Sequence, residues 1–126
     1  MTSKKLGIFG EKLALNYLKK KGYQILDKNY SPKWSVLGEI DIIAKKNNII
    51  SFVEVKTLNK SSSFFPEDKV NFLKQRKLIK LSQSWLVQNK IPLNSEWQID
   101  IISIKIDLKN KKATIRHFEN AIDTNF

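Results

Sequence analysis

Residues 3–21 place Leu6, Gly10, Leu13, Ala14 and Tyr17 on one stripe with lysines on the other faces, the spacing of an amphipathic helix. Ser3 is expected to cap its start and Gly22 to stop it. "YQILDKN" (23–29) reads as a short strand, and "YSPKWS" (30–35) as a loop by its Pro and Ser content. "LGEIDIIAK" (37–45) and "IISFVEVKT" (49–57) alternate with a period of two, and Lys46, Asn47 and Asn48 form the turn between them. "NKSSSFFP" (59–66) is a loop ending in Pro66, which suits the first turn of a helix. Val70, Leu73, Leu78, Leu81 and Trp85 continue that helix as an apolar stripe to about Asn89. "WQIDIISIKI" (97–106) is a strand, "DLKNKK" turns, and "ATIRHFEN" (113–120) is the last strand.

The predicted order is helix, three strands, helix, two strands. That is an α/β or α+β arrangement with a mixed central sheet flanked by helices. The chain of 126 residues suits one domain, 1–126, around a single core. There is no internal repeat or low-complexity linker. No apolar run approaches the ~20 residues of a membrane span, so no membrane partner is expected. The opening "MTSKKLGIFGEK" lacks an apolar leader and a cleavage site, and the chain has no cysteine, so no disulfide or thiolate zinc site. The expected location is cytoplasmic.

Composition adds one pressure. The formal charge is +11, which favours polyanions, chiefly nucleic acid. All basic residues but Arg76 and Arg116 are lysines, in a chain also rich in Asn and Ile. An AT-rich genome produces that bias, so the preference for Lys carries no mechanism.

Against that background the stretch "GEIDIIAKKNNIISFVEVKT" (38–57) concentrates acids. A two-residue turn at Asn47-Asn48, where Asn tolerates positive φ, sets Asp41 opposite Glu54, Glu39 opposite Lys56 and Ile43 opposite Phe52, all on one face. Carboxylates facing each other destabilise a sheet unless they share a proton or a cation. Mg²⁺ takes hard oxygen ligands of this kind. Lys56 would lie beside such a site, placed to orient water and offset charge on a phosphate. The same letters also describe a solvated face of alternating acids and lysines, because an acid, twelve residues, an acid and a lysine two on is a loose pattern.

The surroundings resemble a known family. "GE" at 10–11 with Ala14, Tyr17, Leu18, Gly22, Tyr23, Ile25, Leu26 and Asn29, then "GEIDIIA" and "FVEVKT", resemble the YraN-like family of small endonuclease-related bacterial proteins. Val70, Lys74, Lys77, Leu78, Trp85 and Leu86, then "DII" (100–102) and "HFENAI" (117–122), resemble its later blocks, so the likeness spans nearly the whole chain. The family is similar to Holliday-junction resolvases and to restriction-endonuclease-like folds, which carry a PD-(D/E)xK motif on an αβββαβ core.

The resemblance implies a metal-dependent endonuclease acting on DNA, branched or otherwise structured, with Mg²⁺ or Mn²⁺ as cofactor. It implies that Asp41 and Glu54 are the motif acids and metal ligands, Lys56 the motif lysine, and the backbone carbonyl of Val55 a further ligand. Glu11 matches a helix acid that supports the metal through water. Glu39 belongs to the motif block without a fixed role, and Ile40 stands where the superfamily pattern has Pro. Lys74 falls where related nucleases contact phosphate, and Lys77 is taken with it as nucleic-acid-binding. Resolvases dimerise to cut two strands, which implies a homodimer. The alternative is a non-catalytic DNA- or RNA-binding protein that keeps the fold, and a third reading is a purely structural acid–lysine network.

The remaining conspicuous residues read more plainly. Trp34, Phe64 and Phe65 lie in loops where an aromatic covers a core edge or stacks on a base. Trp85 is a core residue. His117, the only histidine, reads as a surface or cross-strand residue, and Asp100 as a cap or an ion-pair partner outside the site.

Overall fold

The computed structural model describes residues 2–33, 36–59 and 70–125. Helix α1 (Ser3–Lys20) is capped one residue earlier than expected. Thr2, in extended conformation, accepts the Lys5 N–H on its hydroxyl at 3.2 Å, and Ser3 is already helical. Gly22 does end the helix. At φ +93° its N–H reaches the Lys19 carbonyl, and the Tyr23 N–H reaches Leu18, the paired bonds of a left-handed helix stop.

Strands β1 (Gln24–Tyr30), β2 (Ile40–Lys46) and β3 (Ile49–Asn59) follow, then α2 (Phe72–Gln88), β4 (Trp97–Asp107) and β5 (Lys112–Phe118). They form one five-stranded sheet in the order β1-β2-β3-β4-β5. Only β3 and β4 run parallel, and the crossover that parallel pairing demands contains α2. The expected αβββαβ order with a mixed sheet is what forms, with β5 added at the edge.

The two faces carry separate cores. Ile43, Phe52, Leu78, Trp85 and Ile99 pack in one cluster, and Ala14, Leu18, Ile42, Val53, Ile102 and Ile104 in the other. A helix therefore covers each face of the sheet. The centre of β4 is buried on both sides, which explains its nearly unbroken apolar run.

Helix α2 departs from expectation at its start. It begins at Phe72 behind an Asn71 cap, whose side chain accepts the Lys74 N–H at 2.9 Å. Leu73 is 64% exposed and does not belong to the buried stripe of Leu78, Ile79, Leu81, Ser82, Trp85 and Leu86. Five residues before Leu78, it stands about 140° round the helix, away from that face. Trp34, Phe64, Phe65 and Pro66 lie outside the described residues. Among the described residues no helix is long and apolar enough to cross a membrane.

Candidate metal centre

The hairpin that carries the acids forms as its turn residues dictate. Asn47 and Asn48 both take positive φ, 52° and 63°, the two-residue turn whose twist matches the flanking strands. Lys46 pairs with Ile49, Ile43 with Phe52 and Ile42 with Val53, the expected register.

The ladder ends at Ile42–Val53, and there expectation and structure part. Ile40 and Ile43 belong to one core cluster and Ile42 to the other, so the alternation of β2 breaks around Asp41. Asp41 and Glu54 do not continue the ladder. Instead Asp41 Oδ2 accepts the backbone N–H of Val55 at 2.7 Å. Glu39 is not paired with Lys56 either. It turns to Asn29, and Lys56 turns to Glu54 at 3.5 Å. The acids divide accordingly. Glu39 and Asp41 gather with Glu11 from α1, one carboxylate oxygen of each lying within 4.8 Å of the others. Glu54 meets Lys74 from α2 at 3.6 Å.

Helix α1 comes close enough to contribute Glu11 because its neighbour is Gly10. A Cβ at Gly10 would collide with the side chain of Thr57 on β3, so only glycine allows this approach. Beside the acids is an open cleft of about 370 Å³, with Glu11, Glu39, Asp41, Asn29, Lys12 and Lys28 in its walls.

The electrostatics are unfavourable for ionised acids. Burial first, and the neighbouring Glu54 second, push the Asp41 carboxyl up to about 8, while the Val55 N–H opposes the shift. Burial also raises Glu54, although Lys74 and Lys56 both pull it down. One oxygen of Glu54, Oε2, is buried and has the Lys74 ammonium at 3.6 Å as its partner.

A divalent cation would relieve this crowding, and the donors present suit one. They are hard carboxylate oxygens, they converge from α1 and the start of β2, and the buried Asp41 among them accepts a single hydrogen bond among the described residues. Glu11, Glu39 and Asp41 form one group, with Glu54 beside Asp41. Lys74 is half-buried against Glu54, and Lys77, also half-buried, lies one turn further along α2.

A second set of donors was not singled out by the sequence. Asp100, His117 and Glu119 also bring three ligand atoms within 4.8 Å. Asp100 is fully buried. Its Oδ1 accepts from Gln98 at 3.0 Å and from the Asn120 N–H at 2.9 Å, and its Oδ2 meets His117 Nε2 at 2.8 Å. His117 Nδ1 lies 3.1 Å from the Tyr17 hydroxyl. With the ring proton on Nε2, His117 donates to Asp100 and accepts from Tyr17, so every contact is satisfied. The histidine is thus a cross-strand residue as expected but not a surface one, because its side chain is only 8% exposed. The signal available in sequence was a lone Asp and a lone His in facing strands, too common a pairing to single out.

Comparison with known proteins finds one family that runs through the first group of acids. Residues 10–104, which span every candidate residue from Glu11 to Lys77, match the family described as "Uncharacterised protein family UPF0102". A UPF0102 protein of Alkaliphilus oremlandii is 45% identical over 119 residues, covering 94% of this chain and 98% of the relative. One from Clostridium beijerinckii is 38% identical over 98% of this chain and 97% of its own length. One from Caldicellulosiruptor saccharolyticus is 37% identical over 96% and 99%.

Proposed function

The chain belongs to the UPF0102 family, and from that premise we propose that it is a metal-dependent endonuclease hydrolysing phosphodiester bonds in DNA, branched or otherwise structured. The observation that carries the reading is the meeting of Glu11, Glu39 and the buried Asp41, one carboxylate oxygen of each within 4.8 Å of the others, on the wall of one cleft. Such crowding of acids opposes folding unless a cation is shared.

Asp41, Glu11, Glu39 and Glu54 would hold Mg²⁺ or Mn²⁺, with the Val55 carbonyl as a further ligand. A bound cation of this kind supplies Lewis acidity at a phosphoryl oxygen and makes water more acidic. The protein's own groups do the rest. The Val55 N–H fixes the orientation of the Asp41 carboxylate. The Lys56 ammonium, 27% exposed and anchored to Glu54, is placed to orient water and to offset charge growing on the phosphate. Lys74 and Lys77 on α2, and Lys12 and Lys28 in the wall of the acidic cleft, hold the backbone of a polyanion without reading its sequence.

A non-catalytic nucleic-acid-binding protein is the alternative. The pairing of Glu54 with both Lys56 and Lys74 favours it, since two internal cations already stand against that acid.

The experiment is cleavage of a labelled panel: duplex, single strand, flap, four-way junction and RNA. It runs in Mg²⁺, Mn²⁺ and EDTA, beside the Lys56→Ala protein. Metal-dependent cutting of DNA lost in that variant is the expected result. Binding that weakens steeply with salt but leaves every substrate intact in both proteins would establish the binder instead.

A further inference from the structure

We propose that Asn29 is a positioning residue of the acidic centre: its side-chain amide holds Glu11 and Glu39 together so that both face one divalent cation. This rests on the metal reading above. Asn29 Nδ2 donates to Glu11 Oε1 at 2.9 Å and to Glu39 Oε1 at 3.2 Å. The two acids come from different parts of the chain, α1 and the segment just before β2, and nothing in the local sequence of either brings them together. A single amide nitrogen does. It engages one oxygen of each carboxylate, which leaves the second oxygen of each for a ligand.

The position of Asn29 in the sheet supports this role. It sits between the paired residues Lys28–Ile42 and Tyr30–Ile40, which sets it opposite Asp41. One residue therefore stands across from the third acid of the group while bonding the first two. The acids alone would not define a site. The added sign is burial: Asp41 is 9% exposed, lines the cleft with Glu11 and Glu39, and accepts a single hydrogen bond among the described residues, from the Val55 N–H.

The residue type follows from two demands. The backbone at Asn29 is left-handed, φ +49°, a region that Asn tolerates better than most side chains. The side chain must also donate, because its neighbours are acceptors. Asp shares the shape and the backbone tolerance but has no donor when ionised, and it would bring a fourth carboxylate to the group. Gly keeps the backbone and removes the side chain.

The test uses the full chain, with Mg²⁺ and Mn²⁺ alone as probes. Calorimetric titration and melting temperature with metal and with EDTA are measured for the unmodified protein and for Asp41→Asn, Asn29→Gly and Asn29→Asp. The unmodified protein is expected to bind and Asp41→Asn to lose that binding. Asn29→Gly is expected to bind roughly 10–100-fold more weakly, as for other residues that orient metal ligands, while melting in EDTA near the unmodified protein. Asn29→Asp is expected to melt lower in EDTA and to gain more from metal. If Asn29→Gly keeps its affinity within about twofold while Asp41→Asn loses binding, Asn29 has only a structural role and the proposal fails, with the metal reading intact. Absence of binding by the unmodified protein overturns both. Should Asn29→Gly fail to fold, Asn29→Asp decides: an unchanged melting temperature in EDTA and an unchanged metal response overturn the proposal.

Discussion

Two buried aspartates in the same sheet have opposite surroundings. Asp100 on β4 is fully enclosed, and both of its oxygens are bonded, by Gln98, the Asn120 backbone and His117. Asp41 on β2 is almost as buried, but the one hydrogen bond it accepts among the described residues is from the Val55 N–H, and its other close neighbours are acids. Both lie in groups whose ligand atoms fall within 4.8 Å, so proximity of donors does not separate them. Hydrogen bonding does. A buried polar group that is fully bonded has its stabilisation already and rigidifies the fold. One that is crowded and underbonded destabilises the fold, and such sites persist where they bind or react.

The sharpest way to break this contrast is to remove each acid in EDTA. Asp100→Ala strands the partners of a buried pair and should lose roughly 3–5 kcal/mol in chemical denaturation. Asp41→Asn should lose little, since below pH 8 the metal-free carboxyl already carries a proton and the amide is a neutral group of the same shape. Equal losses would erase the distinction.

Activity should divide the other way. Asp41→Asn or Lys56→Ala should lower metal-dependent cleavage by about 10²–10³-fold, comparable to deleting one electrostatic contributor at an active site. Asp100→Asn, measured below its melting temperature, should cleave within a few-fold of the unmodified protein. The reverse pattern would move the chemistry to the Asp100 network.

Gly10→Ala probes how closely α1 must approach. It overpacks against Thr57 and should destabilise by about 1–3 kcal/mol, while also displacing Glu11 and weakening metal binding. A loss of stability without any change in metal affinity would show that Glu11 is dispensable to the site.

The effect that builds most gradually is a slope with pH. Because the Asp41 carboxyl is raised to about 8 in the fold, the folded chain binds more protons than the unfolded one between the ordinary carboxylate range and pH 8. The metal-free protein should therefore be most stable at the acid end and lose stability as pH rises through about 8, by up to about 1.4 kcal/mol per pH unit for one proton. Asp41→Asn should flatten the slope, measured by denaturation in EDTA from acid to pH 9. A slope that survives the substitution would assign the titration elsewhere.

Much of this was legible in the residues themselves. The period-two alternation and the Asn47-Asn48 turn determined the hairpin and its register down to Ile42–Val53. Periodicity and Gly22 marked α1, and "WQIDIISIKI" marked the strand β4, whose burial on both faces came only with the structure. These are local properties: turn dihedrals and side-chain periodicity are set within a few residues of chain. That Glu11, Glu39 and Asp41 belong to one group was expected too, through the resemblance of their sequence blocks to the YraN-like family. Their partners were not. Strict alternation put Glu39, Asp41 and Glu54 on one face, whereas the break in β2 sends two of them toward α1 and leaves the third facing Lys74 of α2. The Tyr17–His117–Asp100 chain joins a helix to two strands across a hundred residues of sequence. Which carboxylate is bonded and which is left crowded depends on how the two helices close over the sheet, and that packing is a property of the whole fold.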